Sequence, residues 1–229
     1  MEMRVMKFKV CAAVLCAAIT FAPVAFADKK SEDYVAAQAN AVLTLLSDES
    51  LSDTDRTERF RETLNSFAYL PDIARRVLGA RGRELDEASF DRYKSAFEEF
   101  AVAVYQKRFN EMHGSAITIE GSTDPAPRRS LVTSLVKSGD SAKGTRVIWD
   151  VLMSEDGKRY RVRDVGIDLN GSVLWLAQDQ QAQFEAYLDR HNGEIDTLIT
   201  SLEQKTAKIK AGFQSGTSDL RNLDIKALD

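Results

Sequence analysis

His113 and His191 are the only imidazoles in the chain, and neither has a second histidine at i+4 or any other ligand spacing that would hold a metal. They fall at an expected helix end and near a helix break, where a surface or capping role suffices. Gly139-Asp140-Ser141 mimics the start of some esterase motifs. A serine nucleophile of that kind needs a sharp strand-to-helix elbow, and here the tripeptide sits in an expected hairpin turn. Ser134 and Lys137 have serine-lysine spacing, but that motif uses a helical turn, and in a strand the two side chains point to opposite faces. Asp150, Asp164 and Asp168 lie in otherwise apolar runs. Paired carboxylates do acid-base chemistry only across a sugar-sized gap; without a surrounding polar constellation, Asp164 reads as a structural hydrogen-bonding group. The chain is therefore read as non-enzymatic, with no metal and no cofactor; a hydrolase built on Asp164 or Asp150 is the rival.

Two basic groups remain. Arg75, Arg76, Arg81 and Arg83 bracket Gly79 and Gly82, and Arg161 and Arg163 share the polar face of a strand. Either group offers phosphate headgroups or an acidic partner a docking surface, set against the plainer reading of solvated helix ends and strand faces. The overall balance of 31 basic and 35 acidic residues argues against a general nucleic-acid binder.

Arg4, Lys7 and Lys9, the apolar run 10–22, and Ala25-Phe26-Ala27 before Asp28 form the pattern of a cleavable secretory signal peptide over residues 1–27. The run is shorter than the roughly 20 residues a helix needs to span a bilayer. Cys16 follows Leu15, whereas a lipidated cysteine wants a small residue before it. Cys11 and Cys16 both lie inside this segment, so the expected mature part has neither disulfide nor thiolate. It keeps 28 basic and 34 acidic residues, enough chain for one domain over residues 28–213. Residues 214–229, in which Ser and Asp recur beside Gly216 and Thr217, read as a loose tail.

The elements that position these residues follow from periodicity. Val35, Ala39, Val42 and Leu46 mark a helix over 31–46 with Ser31 as its cap; Ser52 opens a second carrying Phe60, Leu64 and Phe67; Pro71 begins a short third that ends near Gly79. Over 86–112, Phe90, Tyr93, Phe97, Phe100, Ala101 and Val104 form an unusually aromatic stripe. Residues 116–121, 130–137, 145–153 and 158–169 are β-branched runs split by turn residues, which predicts antiparallel strands with one apolar face. After Asn170-Gly171-Ser172 the spacing is helical again, with Leu174, Ala177, Phe184 and Leu188, and then from Ile195 to the end of the domain. The class is α+β, with helices packed on one face of an antiparallel sheet. The aromatic density facing Trp149 and Tyr160 fits a dense core or an apolar cavity equally well.

Segments 67–79 (Phe-Ala-Tyr-Leu-Pro-Asp-Ile-Ala-Arg-Arg-Val-Leu-Gly), Phe97-x-x-Phe100-x-x-x-Val104-Tyr105, Tyr160-Arg161-Val162-Arg163-Asp164-Val165, Gln183-Phe184 and Ile195-Asp196-x-Leu198-Ile199-x-x-Leu202 together resemble the MlaC, or toluene-tolerance, family of periplasmic phospholipid-binding proteins. The resemblance spans about 31–211. It implies a nuclear-transport-factor-like fold whose curved sheet and helices enclose an apolar cavity for acyl chains. It also implies a monomeric periplasmic carrier that exchanges phospholipid between an outer-membrane lipoprotein complex and the substrate-binding subunit of an inner-membrane ABC transporter, maintaining outer-membrane asymmetry. The lining is then drawn from Phe60, Phe67, Leu78, Phe97, Phe100, Val104, Val147, Trp149, Val151, Tyr160 and Val162. Asn170-Gly171-Ser172-Val173-Leu174-Trp175 and Gln180-Gln181-Ala182 depart from the family pattern, leaving room for a hopanoid-carrying branch. A lipid-free protein-interaction module is the reading from outside the family.

Overall fold

The computed structural model describes residues 28–110, 116–137 and 144–215. The expected leader, His113, the Gly139-Asp140 turn and the chain beyond 215 lie outside the described residues. Helix α1 (Lys29–Leu46) opens at Asp28, not at Ser31: the Asp28 carboxylate accepts from the Lys30 N–H, while Ser31 is fully buried and its hydroxyl donates back to the Asp28 carbonyl. Ser52 caps helix α2 (Asp53–Ala68), which turns Phe60, Leu64 and Phe67 inward. Tyr69, at φ 39°, redirects the chain into α3 (Leu70–Val77), where Pro71 sits in the first turn. Gly79, at φ 60°, supplies the left-handed residue after that helix. A four-residue helix not visible in the periodicity, α4 (Arg81–Glu84), leads to the long α5 (Glu87–Asn110).

Strands β1 (Ala116–Ala126), β2 (Arg129–Lys137), β3 (Thr145–Met153), β4 (Tyr160–Leu169) and β5 (Ser172–Trp175) form one antiparallel sheet in sequence order. The fifth strand corrects the sequence reading, which put Leu174 on a helix. Asn170 and Gly171 both take positive φ, 58° and 95°, and make a two-residue hairpin turn. Helix α6 (Leu176–Arg190) starts only after β5, and α7 (Ile195–Ser215) continues two residues into the stretch expected as tail.

Burial alternates along β2, where Ser130, Val132, Ser134 and Val136 are buried. In β4 burial alternates too, at Val162, Asp164 and Gly166, but the pairing with β3 shifts. Trp149 pairs with Val165 and Asp150 with Asp164, but Val151 pairs with Val162, so Arg163 is an extra residue. Such a bulge bends its strand and re-aims side chains, and further register shifts in β1 add to the curvature. The core joins the inner faces of all the long helices to Val132, Trp149, Val151 and Val162 of the sheet. This is the expected α+β arrangement, helices over one face of a curved antiparallel sheet.

Candidate functional site

Between helices and sheet the packing leaves a cavity of about 470 Å³. Its helical wall comes from Leu64, Phe67 and Ala68 of α2, Leu70, Ile73 and Val77 of α3, and Phe97, Phe100, Ala101, Val104 and Tyr105 of α5. The α5 positions recur at three- and four-residue steps, so one stripe of the helix faces the space. The sheet wall is Ile117, Val136, Val147, Trp149, Val162, Val165 and Ile167, and α6 closes one side with Leu176, Ala177, Asp179 and Gln180. Trp149 can turn its ring to this apolar space because its one polar atom is satisfied elsewhere: Nε1 donates to Ser134 Oγ at 2.9 Å. Phe67 lies across it, ring centroids 6.1 Å apart. Behind α5, Tyr93 and Phe97 each meet Phe184 edge to face and fix that wall.

Seven of the residues named from sequence line the cavity: Phe67, Phe97, Phe100, Val104, Val147, Trp149 and Val162. The other four lie away from it. Phe60, Leu78 and Val151 are buried in solid core, and Tyr160 packs its ring on Tyr34 at 5.6 Å. Sequence reasoning did not name Leu70, Ile73, Val77, Ile117, Val136, Val165, Ile167 and Leu176 as lining; of these, Val165 was within reach, since it ends the strand motif already singled out.

Polar groups gather where the bulge brings Arg163 and Asp164 to the cavity. A smaller polar recess adjoins there, about 140 Å³, walled by Arg76, Arg129, Asp150, Arg163, Asp164 and Gln181 among others. Its charges answer each other. Asp150, 2% exposed, accepts from Arg129 Nε at 2.8 Å and Nη2 at 3.2 Å and from Arg163 Nε at 3.0 Å. Arg76 donates to the Arg163 carbonyl at 2.7 Å. Asp164 Oδ1 accepts from the N–H groups of Val165 (2.7 Å) and Ala177 (2.9 Å), so it supplies the cap that Trp175, at the start of α6, cannot. Burial pushes the Asp164 carboxyl above its ordinary range, opposed by those two hydrogen bonds. Asp168 accepts from the Gly171 N–H and holds the hairpin turn. All three carboxylates thus have structural partners.

The remaining candidates are accounted for in the same way. His191 caps α6, its Nδ1 2.8 Å from the Tyr187 carbonyl and its ring stacked on Tyr187. Arg75 lies over the Phe90 ring and donates to the Gly82 carbonyl, and Arg81 pairs with Asp189. Among the described residues no cluster of three or more His, Cys, Asp or Glu is placed to hold a metal ion, and no helix is long and apolar enough to cross a membrane.

Residues 36–204 match the family model described as MlaC protein. This chain belongs to the MlaC family. The match to MlaC runs from α1 into α7 and includes every residue that lines the cavity. Among solved structures, a phospholipid-binding protein from Ralstonia solanacearum in complex with a phospholipid aligns with a TM-score of 0.62 and 15% identity, over 78% of this chain and 98% of that chain. At that identity the likeness speaks to the fold. No curated protein matches this MlaC chain.

Proposed function

We propose that this protein is a periplasmic lipid carrier: it holds acyl chain in the cavity and shuttles phospholipid between an outer-membrane lipoprotein complex and the substrate-binding subunit of an inner-membrane ABC transporter, helping to keep the outer membrane asymmetric. The observation that carries this reading is the cavity itself, walled almost wholly by aliphatic and aromatic side chains. The MlaC family and the phospholipid held by a relative of the same fold support it.

The energetics suit a carrier. A methylene taking about the volume of one water in the liquid, ~30 Å³, gives 470 Å³ room for about 16, roughly one acyl chain. At ~0.8 kcal/mol per methylene, exposing that chain to water costs about 13 kcal/mol. A cavity as apolar as the bilayer offsets most of this, so loading and unloading are nearly balanced and the direction of transfer belongs to the partners. A two-chain lipid requires the helices to move further from the sheet. The test is transfer of a fluorescent phospholipid between two vesicle populations. The protein is expected to accelerate transfer in proportion to its concentration; no acceleration by folded protein contradicts the reading.

A further inference from the structure

How much chain the cavity takes is set by its volume, and that volume is set by the ties between its walls. At about 470 Å³ it has room for about 16 methylenes. Two chains of that length need about 900 Å³ on the same scale. The recess that adjoins at Ala68, Val162 and Arg163 does not supply the difference. Tyr69, Asp72, Arg159 and Arg161 are among its walls, and an alkyl chain laid there takes water from polar groups without replacing their hydrogen bonds. A second chain therefore enters only if the helices part from the sheet.

Polar and covalent fastenings oppose that movement. Arg76 of α3 donates to the Arg163 carbonyl of β4 at 2.7 Å, and the Ala177 N–H of α6 donates to Asp164 Oδ1 of β4 at 2.9 Å. The chain itself binds the start of α6 to the sheet. Trp175 pairs with Gly166 as the last residue of β5, and Leu176 is already helical, so no loop gives slack between them. At α1, Glu32 accepts from Ser122 of β1 at 2.8 Å. Tyr34, also of α1, packs its ring on Tyr160 of β4 and donates its hydroxyl to the Phe67 carbonyl of α2 at 3.2 Å. Parting the layers leaves these donors and acceptors unmade where water reaches them poorly, and a close-packed interior yields little volume short of that.

We propose that the cargo is a single-chain lipid of the lysophospholipid kind, and that Arg76, Asp164 and Glu32 set this selectivity by holding helices and sheet one acyl chain apart. The inference rests on the carrier reading and names its class of cargo. Each methylene that a bound lipid leaves in water lowers its affinity about fourfold. A second chain with even four methylenes uncovered is thus disfavoured about 200-fold against a lipid that has only the first.

The test equilibrates the purified protein, stripped of lipid, with vesicles of palmitoyl-oleoyl phosphatidylglycerol that hold a small known fraction of palmitoyl lysophosphatidylglycerol. The protein is then separated from the vesicles and its bound lipid counted by native mass spectrometry. Both lipids carry the same headgroup, so the number of chains is what differs. Bound lipid is expected to be enriched in the lysolipid about 200-fold over the vesicle composition. Phe100→Ala removes a ring from the cavity wall, and Arg76→Ala, the milder change, releases α3 from the Arg163 carbonyl. Each is expected to cut the enrichment about tenfold or more, since two further methylenes covered are worth that much. Bound lipid in the vesicles' own proportions overturns the one-chain inference and leaves the carrier reading standing. Enrichment unchanged in both folded variants also overturns it, because selectivity then does not come from the spacing of the walls. Uptake of neither lipid by the wild type overturns the carrier reading and the inference with it.

Discussion

Val147 is the place to narrow the cavity without disturbing the fold. It lies on β3 between Ser134 of β2 and Ile167 of β4, half-buried, and forms part of the cavity wall. Phenylalanine is as well suited to a strand as valine and brings about four more carbons into a space that holds about 16 methylenes. Each methylene of cargo displaced costs ~0.8 kcal/mol, so Val147→Phe should weaken binding of a chain long enough to fill the cavity by about 3 kcal/mol, roughly 200-fold. Shorter chains should be unaffected, because they never reach the space removed. Lysophospholipids of increasing chain length, titrated against stripped wild type and variant, read this directly. Wild-type affinity should climb with each carbon and level off near about 16, and the variant should level off about four carbons earlier. A folded variant whose plateau does not move refutes the assignment of the cavity as the chain's seat.

Both hydrogen bonds to Asp164 end on Oδ1, so Asp164→Asn keeps them and sheds a buried charge: it should fold with at least wild-type stability at neutral pH, whereas Asp164→Ala should lose about 1–3 kcal/mol in denaturant melts. Because the folded-state pKa of Asp164 is raised, its contribution to stability is greatest at acidic pH and is lost as pH rises through the folded value; the advantage of the Asn variant should therefore grow with pH over that window. Burial also lifts Tyr34, to about 12. The unfolded chain ionises its phenol near 10 while the folded one stays neutral, so stability should fall as pH rises from about 10 through about 12, and Tyr34→Phe should flatten part of that fall. At Gly166 a Cβ would sit 2.5 Å from Val173 Cγ1 and 3.2 Å from the Trp175 ring; Gly166→Ala should push β5 off β4 and cost about 1–3 kcal/mol, seen as a lowered Tm and faster amide exchange at β5.

Helix faces were legible because 3.6-residue periodicity reports which side of an element is buried. It does not report how far away the opposing element lies. Phe60 and Phe67 belong to the same stripe of α2, yet only Phe67 borders empty space; Val151 and Val147 share a face of β3, yet Val151 is packed solid. The gap between helices and sheet is set by tertiary packing, which no single stripe encodes. Strand β5 was missed for a local reason: four residues are too few to show alternation, Val173 and Leu174 are exposed, and Trp175 passes directly into α6. The bulge at Arg163 was likewise invisible. Strict alternation in β4 sets Asp164 on the face of Val162, and one extra residue instead returns Val165 to that face and leaves Arg163 and Asp164 beside the polar recess. Chemistry at the cavity's polar side therefore depends on a backbone irregularity. The family resemblance was legible because it rests on several short segments in order, and the match over 36–204 bears it out.

The central claim is that the cavity carries lipid. Its most direct test is to express the whole chain, expected leader included, for export to a bacterial periplasm, purify it without detergent, and weigh it by native and then denaturing mass spectrometry. The account predicts one phospholipid per protein, released on denaturation and absent from a folded Val147→Phe variant for the longest chains. Lipid-free protein from several hosts, folded and with its cavity empty, would contradict it.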